Sequence, residues 1–194
     1  MSQQPADEFP LSFIARRNFF NFFGITCKIL AITGSVLFWV KLKAFRLKED
    51  ITIYRGTIKK EPILNIKARQ IIDFAAAYDV VDLRSNAKVG ALKRKGLKSI
   101  FRDEWFIMDE SDETIGSIKE DSLFLAMLRR VFASLIPQTY VFTVGGQRAG
   151  EARGTWNPFL VKYLVRFLPS ASLDPRLAMA SVVLLMAIEG KQRG

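Results

Sequence analysis

A loose repeat, in which an aromatic residue is followed by a turn and a closing glycine, constrains the fold of this chain most. The pattern occurs in "YDVVDLRSNAKVG", "WFIMDESDETIG" and "YVFTVGGQRAG", which begin at Tyr78, Trp105 and Tyr140. In each copy an apolar residue stands two positions after the aromatic one, on the same face of a strand. The polar or glycine-rich middle is typical of a hairpin turn. Because closure removes exposed edges, a sheet of many such hairpins predicts a closed antiparallel β-barrel.

The apolar stretch from Phe19 to Val40 has competing interpretations. Two arginines precede it, and it is about long enough for a helix that crosses a bilayer core of roughly 30 Å. However, Lys28 lies near its middle, and "TGS" at 33–35 is a turn signal. After this turn, apolar residues alternate with lysines over 36–43, which is a strand pattern. We therefore predict a β-hairpin. A cleaved signal peptide is disfavoured, because no small-residue cleavage site follows.

Further strands are indicated by period-two alternation in "ITIYR" and "ILNIKAR". We expect a buried face and a solvated face on each strand. The predicted buried residues are Ile51, Ile53, Leu64, Ile66 and Ala68, and the predicted solvated ones are Asn65, Lys67 and Arg69. The polar segment "MSQQPADEFP", residues 1–10, predicts a disordered tail, and residues 11–194 predict a single domain.

Two segments have helical patterns instead. Asp121 to Pro137 predicts an amphipathic helix, either a plug over the barrel mouth or a helix on a membrane surface. Near the C-terminus, Asp174 is a natural N-cap and Gly190 a natural end. Between them, Leu177 to Ile188 is apolar except for one serine, and a helix that is apolar on all sides is buried. At roughly 18 Å it is too short to span a bilayer. This predicts a hydrophobic helix inside the closed sheet.

Missing residue types exclude several kinds of active site. The chain has no histidine and one cysteine, so Ser-His-Asp and Cys-His arrangements, an internal disulfide and a cysteine zinc site are excluded. Cys27 is predicted to be a small buried residue, in keeping with a reducing cytoplasm. Asp73, Asp79 and Asp82 are predicted to pair with local arginines. The "DESDE" segment at 109–113 lacks the backbone pattern of a calcium loop and predicts a solvated turn. We therefore expect no enzyme activity, cofactor or metal.

One basic cluster is a candidate site. Six cations lie within fifteen residues of "KVGALKRKGLKSIFRDEW", in a chain whose net charge is +10. Such a cluster concentrates positive potential and can bind phosphate through charge-assisted hydrogen bonds. A solvated turn, in which Arg102 pairs with Asp103 or Glu104, is the alternative. The candidate anion-binding residues are Lys88, Lys93, Arg94, Lys95, Lys98 and Arg102, and cations on solvated strand faces that would extend the patch are Lys41, Lys43, Lys67 and Arg69.

Several motifs resemble a known superfamily. "AFRLKEDI", "IKARQIIDF", "VGALKRKGLKSIFRDEW" and the closing "DPRLA" are similar to bacterial members of the tubby C-terminal-like superfamily, which includes phospholipid scramblases and LURP-one-related proteins. The resemblance covers Phe20 to Gln192. It implies a twelve-stranded antiparallel barrel around a central C-terminal helix, and it implies lipid binding, since tubby domains bind phosphoinositides. The cysteine cluster and calcium loop of scramblases are absent from this sequence.

These observations predict a non-enzymatic binding module. It would dock on anionic phospholipid or phosphoinositide head groups through the basic turn, in the cytoplasm or at the inner face of the membrane. The alternative is a structural or interaction protein that binds an acidic protein partner. Nucleic-acid binding is disfavoured, because the cluster lacks interleaved aromatic residues and no helix-turn-helix pattern is present. The sequence leaves the oligomeric state open.

Overall fold

Twelve antiparallel strands form a closed barrel in this computed structural model. The structure describes residues 9–18, 26–42, 50–56, 61–69, 77–95, 104–121, 138–155 and 160–192. The strands are β1 (Ser12–Asn18), β2 (Thr26–Leu30), β3 (Val36–Leu42), β4 (Asp50–Arg55), β5 (Glu61–Ala68), β6 (Ala77–Asp82), β7 (Ala87–Arg94), β8 (Glu104–Met108), β9 (Thr114–Glu120), β10 (Thr139–Val144), β11 (Gln147–Gly154) and β12 (Leu160–Phe167). One helix, α1 (Pro175–Gln192), follows them in the described part of the chain. The predicted closed, mainly-β barrel is confirmed.

The strand order follows the sequence around the ring, and the pairing of β12 with β1 closes it. Connections therefore alternate between the two ends of the barrel. At one end, which we call the turn end, short turns join β2 to β3, β6 to β7, β8 to β9 and β10 to β11. The opposite end, which we call the loop end, holds the last residues of β1, β3, β5, β7, β9 and β11. In this order β7 lies on the wall opposite β1.

The predicted hairpin repeat is confirmed as β6–β7, β8–β9 and β10–β11. The aromatic residue that opens each copy is buried, as is the apolar residue two positions later. Each hairpin contains a register shift, which leaves one residue of its second strand unpaired, and the hairpins β2–β3 and β4–β5 have the same irregularity. Such bulges bend a strand and increase its twist. Five of them distributed around the ring favour the curvature that closure needs.

A glycine closes each copy of the repeat because the next strand approaches it closely. The closing residues are Gly90, Gly116 and Gly150. A Cβ atom at Gly116 would overlap the carbonyl oxygen of Thr143 on β10, and one at Gly150 would overlap that of Arg166 on β12. Backbone cannot move aside as a flexible side chain can. The repeated glycine is therefore a packing requirement between successive strands.

The N-terminal apolar stretch contains strands rather than one helix. Thr26 to Leu42 forms the β2–β3 hairpin, so the hairpin prediction is confirmed for this part, and residues 19–25 lie outside the described residues. Gly34 in its turn has a φ of 95°, a conformation that glycine adopts without steric cost. The predicted alternation on β4 and β5 is also confirmed, because all five residues assigned to the buried face are buried.

The predicted boundary of the N-terminal tail is wrong by two residues. Phe9 is only 3% exposed and stacks on Phe38, with ring centroids 5.4 Å apart. A polar, proline-bearing composition predicts disorder poorly where a single large aromatic residue of the segment can reach the core. Residues 9 and 10 therefore belong with the barrel, and residues 1–8 lie outside the described residues.

Helix α1 is buried along most of its length. Every residue from Leu177 to Ala187 is at most 4% exposed, and the helix contacts β1, β12, β5 and β7. Asp174 caps it as predicted, since its Oδ1 accepts the backbone N–H of Arg176 at 2.8 Å. The helix continues through Gly190 to Gln192, so the predicted stop at this glycine is wrong. Glycine is only disfavoured inside a helix, and an end signal needs the left-handed conformation as well.

Two predictions concern a membrane-spanning helix and a second, amphipathic helix. Among the described residues, no helix combines the length and the hydrophobicity that crossing a bilayer requires. The predicted amphipathic helix at 121–137 lies, apart from Asp121, outside the described residues.

The close approach of strands at the closing glycines gives the first testable prediction. Gly116→Ala is expected to lower the free energy of unfolding by about 1–3 kcal/mol, because the added methyl group forces backbone apart. Urea unfolding followed by circular dichroism measures this. The control is Ser117→Ala on the same strand, whose half-exposed side chain should allow a change below about 0.5 kcal/mol. Equal stabilities for the two variants would contradict the packing argument.

Candidate anion-binding surface

The cations at the end of β7 divide between the two faces of the barrel wall. Lys93 is exposed and stands opposite Phe106 of β8, and within the described part of the chain its side chain makes no hydrogen bond or ion pair. Lys95 follows two residues later, and its Nζ atom lies 2.8 Å from Oε2 of Glu104. Arg94 stands opposite the buried Trp105, with its guanidinium 6.0 Å from the ring centroid. Lys93 and Lys95 therefore point outward, and Arg94 lies on the other face.

Lys119 joins Lys95 in binding one carboxylate. Its Nζ atom is 3.1 Å from Oε1 of Glu104, and hydrogen bonds from Lys95 first, then from Lys119, lower the pKa of this carboxyl. Glu104 is only 14% exposed and is shared by two cations, so the surface around it keeps an excess positive charge. We call Lys93, Lys95, Lys119 and Glu104 the basic wall of β7–β9.

Two of the predicted anion-binding residues are neutralised inside a four-charge cluster. The Nζ atom of Lys88 lies 2.7 Å from Oδ1 of Asp112, and Arg69 binds Asp79 through its Nε at 2.9 Å and also contacts Asp112. The hydrogen bonds from Lys88 and then Arg69 lower the pKa of Asp112, and those from Asp79 and then Asp112 raise the pKa of Arg69. The positive charges of the two cations and the negative charges of the two carboxylates cancel. Lys88 and Arg69 therefore add little positive potential to the basic wall.

The "DESDE" turn takes part in this cluster. Asp109 Oδ1 accepts the backbone N–H groups of Ser111 and Glu113, each at 2.9 Å, which fixes the turn between β8 and β9. Asp112 has a φ of 68°, and this places its carboxylate against Lys88. The turn was predicted to be solvated, and its residues 110–113 are exposed. In addition, it supplies a counter-charge to a neighbouring hairpin.

The remaining predicted cations are dispersed. Lys67 is exposed on β5 between Asp50 and Asp79 of the neighbouring strands, and Lys41 is exposed on β3, four strands away from β7. The structure therefore brings Lys67, Lys88 and Lys93 onto the consecutive strands β5 to β7, with Arg69 directly after β5, and separates Lys41 from them. Lys43, Lys98 and Arg102 lie outside the described residues.

A second group of cations was missed by sequence reasoning. Lys162 of β12 stands directly opposite Arg16 of β1, which in turn stands opposite Lys28 of β2. We call these three residues the cationic row. They are far apart in sequence, and only the pairing that closes the barrel brings Lys162 to the other two. No local sequence signal predicts this row.

Two buried charged or reactive groups have structural roles. Arg17, next to the exposed Arg16, is 3% exposed, and its guanidinium donates to the carbonyl oxygen of Met186 in α1 at 2.9 Å. A cation at the C-terminal part of a helix is favourable. Cys27 is fully buried as predicted, and burial, opposed by Arg17, raises the pKa of its thiol to about 12. The thiol therefore stays protonated at neutral pH, which argues against a reactive cysteine.

The predicted arginine partners are confirmed for two of the three aspartates, and Asp73 lies outside the described residues. Asp79 binds Arg69, and Asp82 binds Arg84 with atoms 3.1 Å apart. Asp82 also binds Arg176 of α1 at 3.0 Å, a contact across 94 residues that the sequence did not predict. Burial opposes ionisation of Asp82, but hydrogen bonds from Arg84 and Arg176 outweigh it and lower its pKa to about 2. This carboxylate therefore ties α1 to β6 at the turn end.

Comparison with known protein families, with curated proteins and with solved structures finds no match to this chain.

The low pKa of Asp82 gives a prediction on acid stability. The pKa is about 2 in the folded protein against an ordinary value of 3.8, so the stabilisation is fully present above about pH 4 and is lost as the pH falls through 2. We expect Asp82→Asn to cost about 2 kcal/mol at pH 7 and progressively less below pH 4. Urea unfolding at several pH values measures the difference. Asp121→Asn, at an exposed carboxylate, is the control, and a pH-independent difference between wild type and Asp82→Asn would contradict this assignment.

Proposed function

We propose that this protein is a non-enzymatic module that docks on anionic phospholipid head groups through the basic wall of β7–β9. The observation that carries the proposal is the outward-pointing Lys93, which makes no side-chain ion pair among the described residues, beside Lys95 and Lys119 around a single carboxylate. In the sequence, two further cations, Lys98 and Arg102, follow Lys95 within seven residues.

The chemistry of the wall suits a phosphate. An exposed ammonium group forms charge-assisted hydrogen bonds to phosphate oxygens, and each lysine or arginine near an anionic membrane contributes about 1 kcal/mol. The contribution is screened by salt within about 8 Å at physiological ionic strength. The net charge of +10 supports the same partner, because it raises the rate of encounter with anionic surfaces.

The position of α1 is a part of this proposal. We propose that α1 occupies the interior of the barrel, because it is buried from Leu177 to Ala187 and contacts β1 and β12 on one wall and β5 and β7 on the other. A filled interior leaves no room for a ligand cavity, so binding takes place on the outer surface. The resemblance to tubby-like domains is consistent with a barrel of this kind, and membership of that superfamily stays a prediction.

Charge reversal at Lys93 tests the proposal. Wild type is expected to co-sediment with vesicles of phosphatidylcholine and phosphatidylserine and not with pure phosphatidylcholine. Lys93→Glu removes one cation and adds an anion, which predicts binding weaker by at least about tenfold. Lys162→Glu makes the same charge change on the opposite wall and is the matched control. Equal binding of wild type to neutral vesicles, or equal effects of the two variants, would refute docking through this wall.

Release of the neutralised cations gives a complementary prediction. Asp112→Asn removes the carboxylate that holds Lys88, and asparagine tolerates the positive φ of this position. We expect Asp112→Asn to bind the anionic vesicles roughly threefold to fivefold more tightly, since it raises the local charge by one unit. Glu151→Gln, a change of the same size on β11, is the control. Unchanged binding by Asp112→Asn would exclude Lys88 from the binding surface.

A further inference from the structure

Three arginines surround one glutamate on the outer face of β11 and β12. Arg148 and Arg153 flank Glu151 along β11, and their Nη2 atoms lie 2.7 Å and 3.7 Å from the same carboxylate oxygen, Oε2. Arg166 of β12 stands directly opposite Glu151 in the strand pairing, and its side chain makes no hydrogen bond or ion pair within the described part of the chain. Three positive charges therefore surround one negative charge, which leaves an excess of two positive charges.

Two exposed leucines lie on either side of Arg166 along β12. Leu164 is 42% exposed and stands opposite Arg153. Leu168, which directly follows β12, is 41% exposed and donates its backbone N–H to the carbonyl oxygen of Ala149 on β11 at 2.8 Å. These are two of the four large apolar side chains that are exposed among the described residues. Apolar surface is thus placed directly beside the excess charge.

Uncharged side chains border this group on the neighbouring strands β10 and β1. The residues that face it in the strand pairing are Thr139, Val141, Thr143, Ser12 and Ile14. None of these facing positions holds a carboxylate, so the pairing does not neutralise the excess charge. We call the group the arginine patch, and its members are Arg148, Glu151, Arg153, Leu164, Arg166 and Leu168.

The stability of the fold does not require three arginines at this place. One cation is enough to pair with a carboxylate, and exposed ion pairs contribute little to stability. The side chains of Arg148 and Arg153 are 57% and 64% exposed, and Arg166 is exposed as well. All three guanidinium groups are therefore accessible to a ligand from solution.

We propose that the arginine patch binds the phosphate group of a small organic phosphomonoester, with the apolar part of that molecule against Leu164. A guanidinium presents a planar fork of N–H donors that fits the oxygens of a phosphate. Arg148 and Arg153 already converge on one anionic oxygen, as binding of a phosphate oxygen requires. A phosphomonoester carries a charge of about −1.5 to −2 at neutral pH, which balances the excess charge of the patch.

The charge and the leucines favour this ligand over other anions. A carboxylate or a phosphodiester group carries one negative charge and leaves part of the excess in place. Inorganic phosphate has the charge but has nothing to place against Leu164, which stands beside Arg166 and opposite Arg153. The patch lies on β11 and β12, outside the basic wall of β7–β9, so this proposal does not depend on lipid docking.

Phenyl phosphate tests the proposal, and inorganic phosphate is the matched probe without an apolar part. NMR titration of the isotope-labelled full chain at pH 8, where the monoester is dianionic, measures both affinities from the arginine Nε–H signals. We expect saturable binding of both, with phenyl phosphate bound about threefold more tightly because its ring covers part of Leu164.

Substitutions separate the charge, the guanidinium fork and the apolar contact. Arg166→Gln should weaken both probes by at least about fivefold, and Arg166→Lys, which keeps the charge but not the fork, should restore only part of this loss. Glu151→Gln removes the competing carboxylate and should tighten both about threefold. Leu164→Ser should remove only the advantage of phenyl phosphate. Lys41→Gln, at an exposed cation on β3, is the charge-matched control and should leave both affinities unchanged.

Four results would overturn the proposal. They are absence of saturable phenyl phosphate binding, equal effects of Arg166→Gln and Lys41→Gln, full restoration by Arg166→Lys, and equal affinities of the two probes for wild type. All substituted side chains are at least partly exposed, and unchanged thermal midpoints would separate lost binding from lost folding. If Arg166→Gln weakens binding to phosphatidylserine vesicles, the patch contacts lipid and the small-ligand proposal is wrong. Weaker vesicle binding by Lys93→Glu is a separate result that concerns the basic wall alone.

Discussion

The pairing of β1 with β12 is the interaction on which the rest of this structure depends. Seven residue pairs join the first and last strands, from Ser12–Arg166 to Asn18–Leu160, and they leave the sheet without an edge. This closure surrounds the strand faces that α1 contacts, and it fixes the position of Arg17, whose guanidinium reaches the carbonyl of Met186. A contact across 169 residues thus follows from one strand pairing. It also brings Lys162 of β12 beside Arg16 of β1 in the cationic row.

Closure in turn depends on local features that recur in the three repeated hairpins. A bulge before the closing glycine bends each of them, and the missing side chain at the glycine lets the next strand approach. At Gly90 the same gap also admits Leu177 of α1, so the device connects the wall to the helix. Wall and helix are then joined electrostatically at the turn end, where Arg176 binds the buried Asp82. Local turn chemistry and long-range packing therefore act at the same positions.

Much of this fold could be predicted from the sequence, because strand alternation and hairpin turns are local patterns. The buried positions of β4 and β5, the three repeated hairpins and the capped start of α1 all follow from residues within a few positions of one another. The neighbours that a residue has on other strands or on α1 do not follow from such local patterns. Arg16 and Arg17 are adjacent in sequence, yet one is on the outer surface and the other in the core. The partner of Asp82 on α1 and the partner of Lys88 on the β8–β9 turn depend on register and closure, which no local pattern contains.

The charged residues of the candidate sites also combine local pairs with neighbours that only closure of the barrel provides. In the strands, every described carboxylate lies on β4 to β11, mostly beside a cation that it neutralises, as Asp79 does with Arg69 and Glu104 with Lys95. The strands β12, β1 and β2 contain no aspartate or glutamate, and their pairing places Lys162 opposite Arg16 and Arg16 opposite Lys28. The distribution of charge around the barrel therefore depends on which strands closure makes neighbours, and the local sequence of any one strand does not determine it.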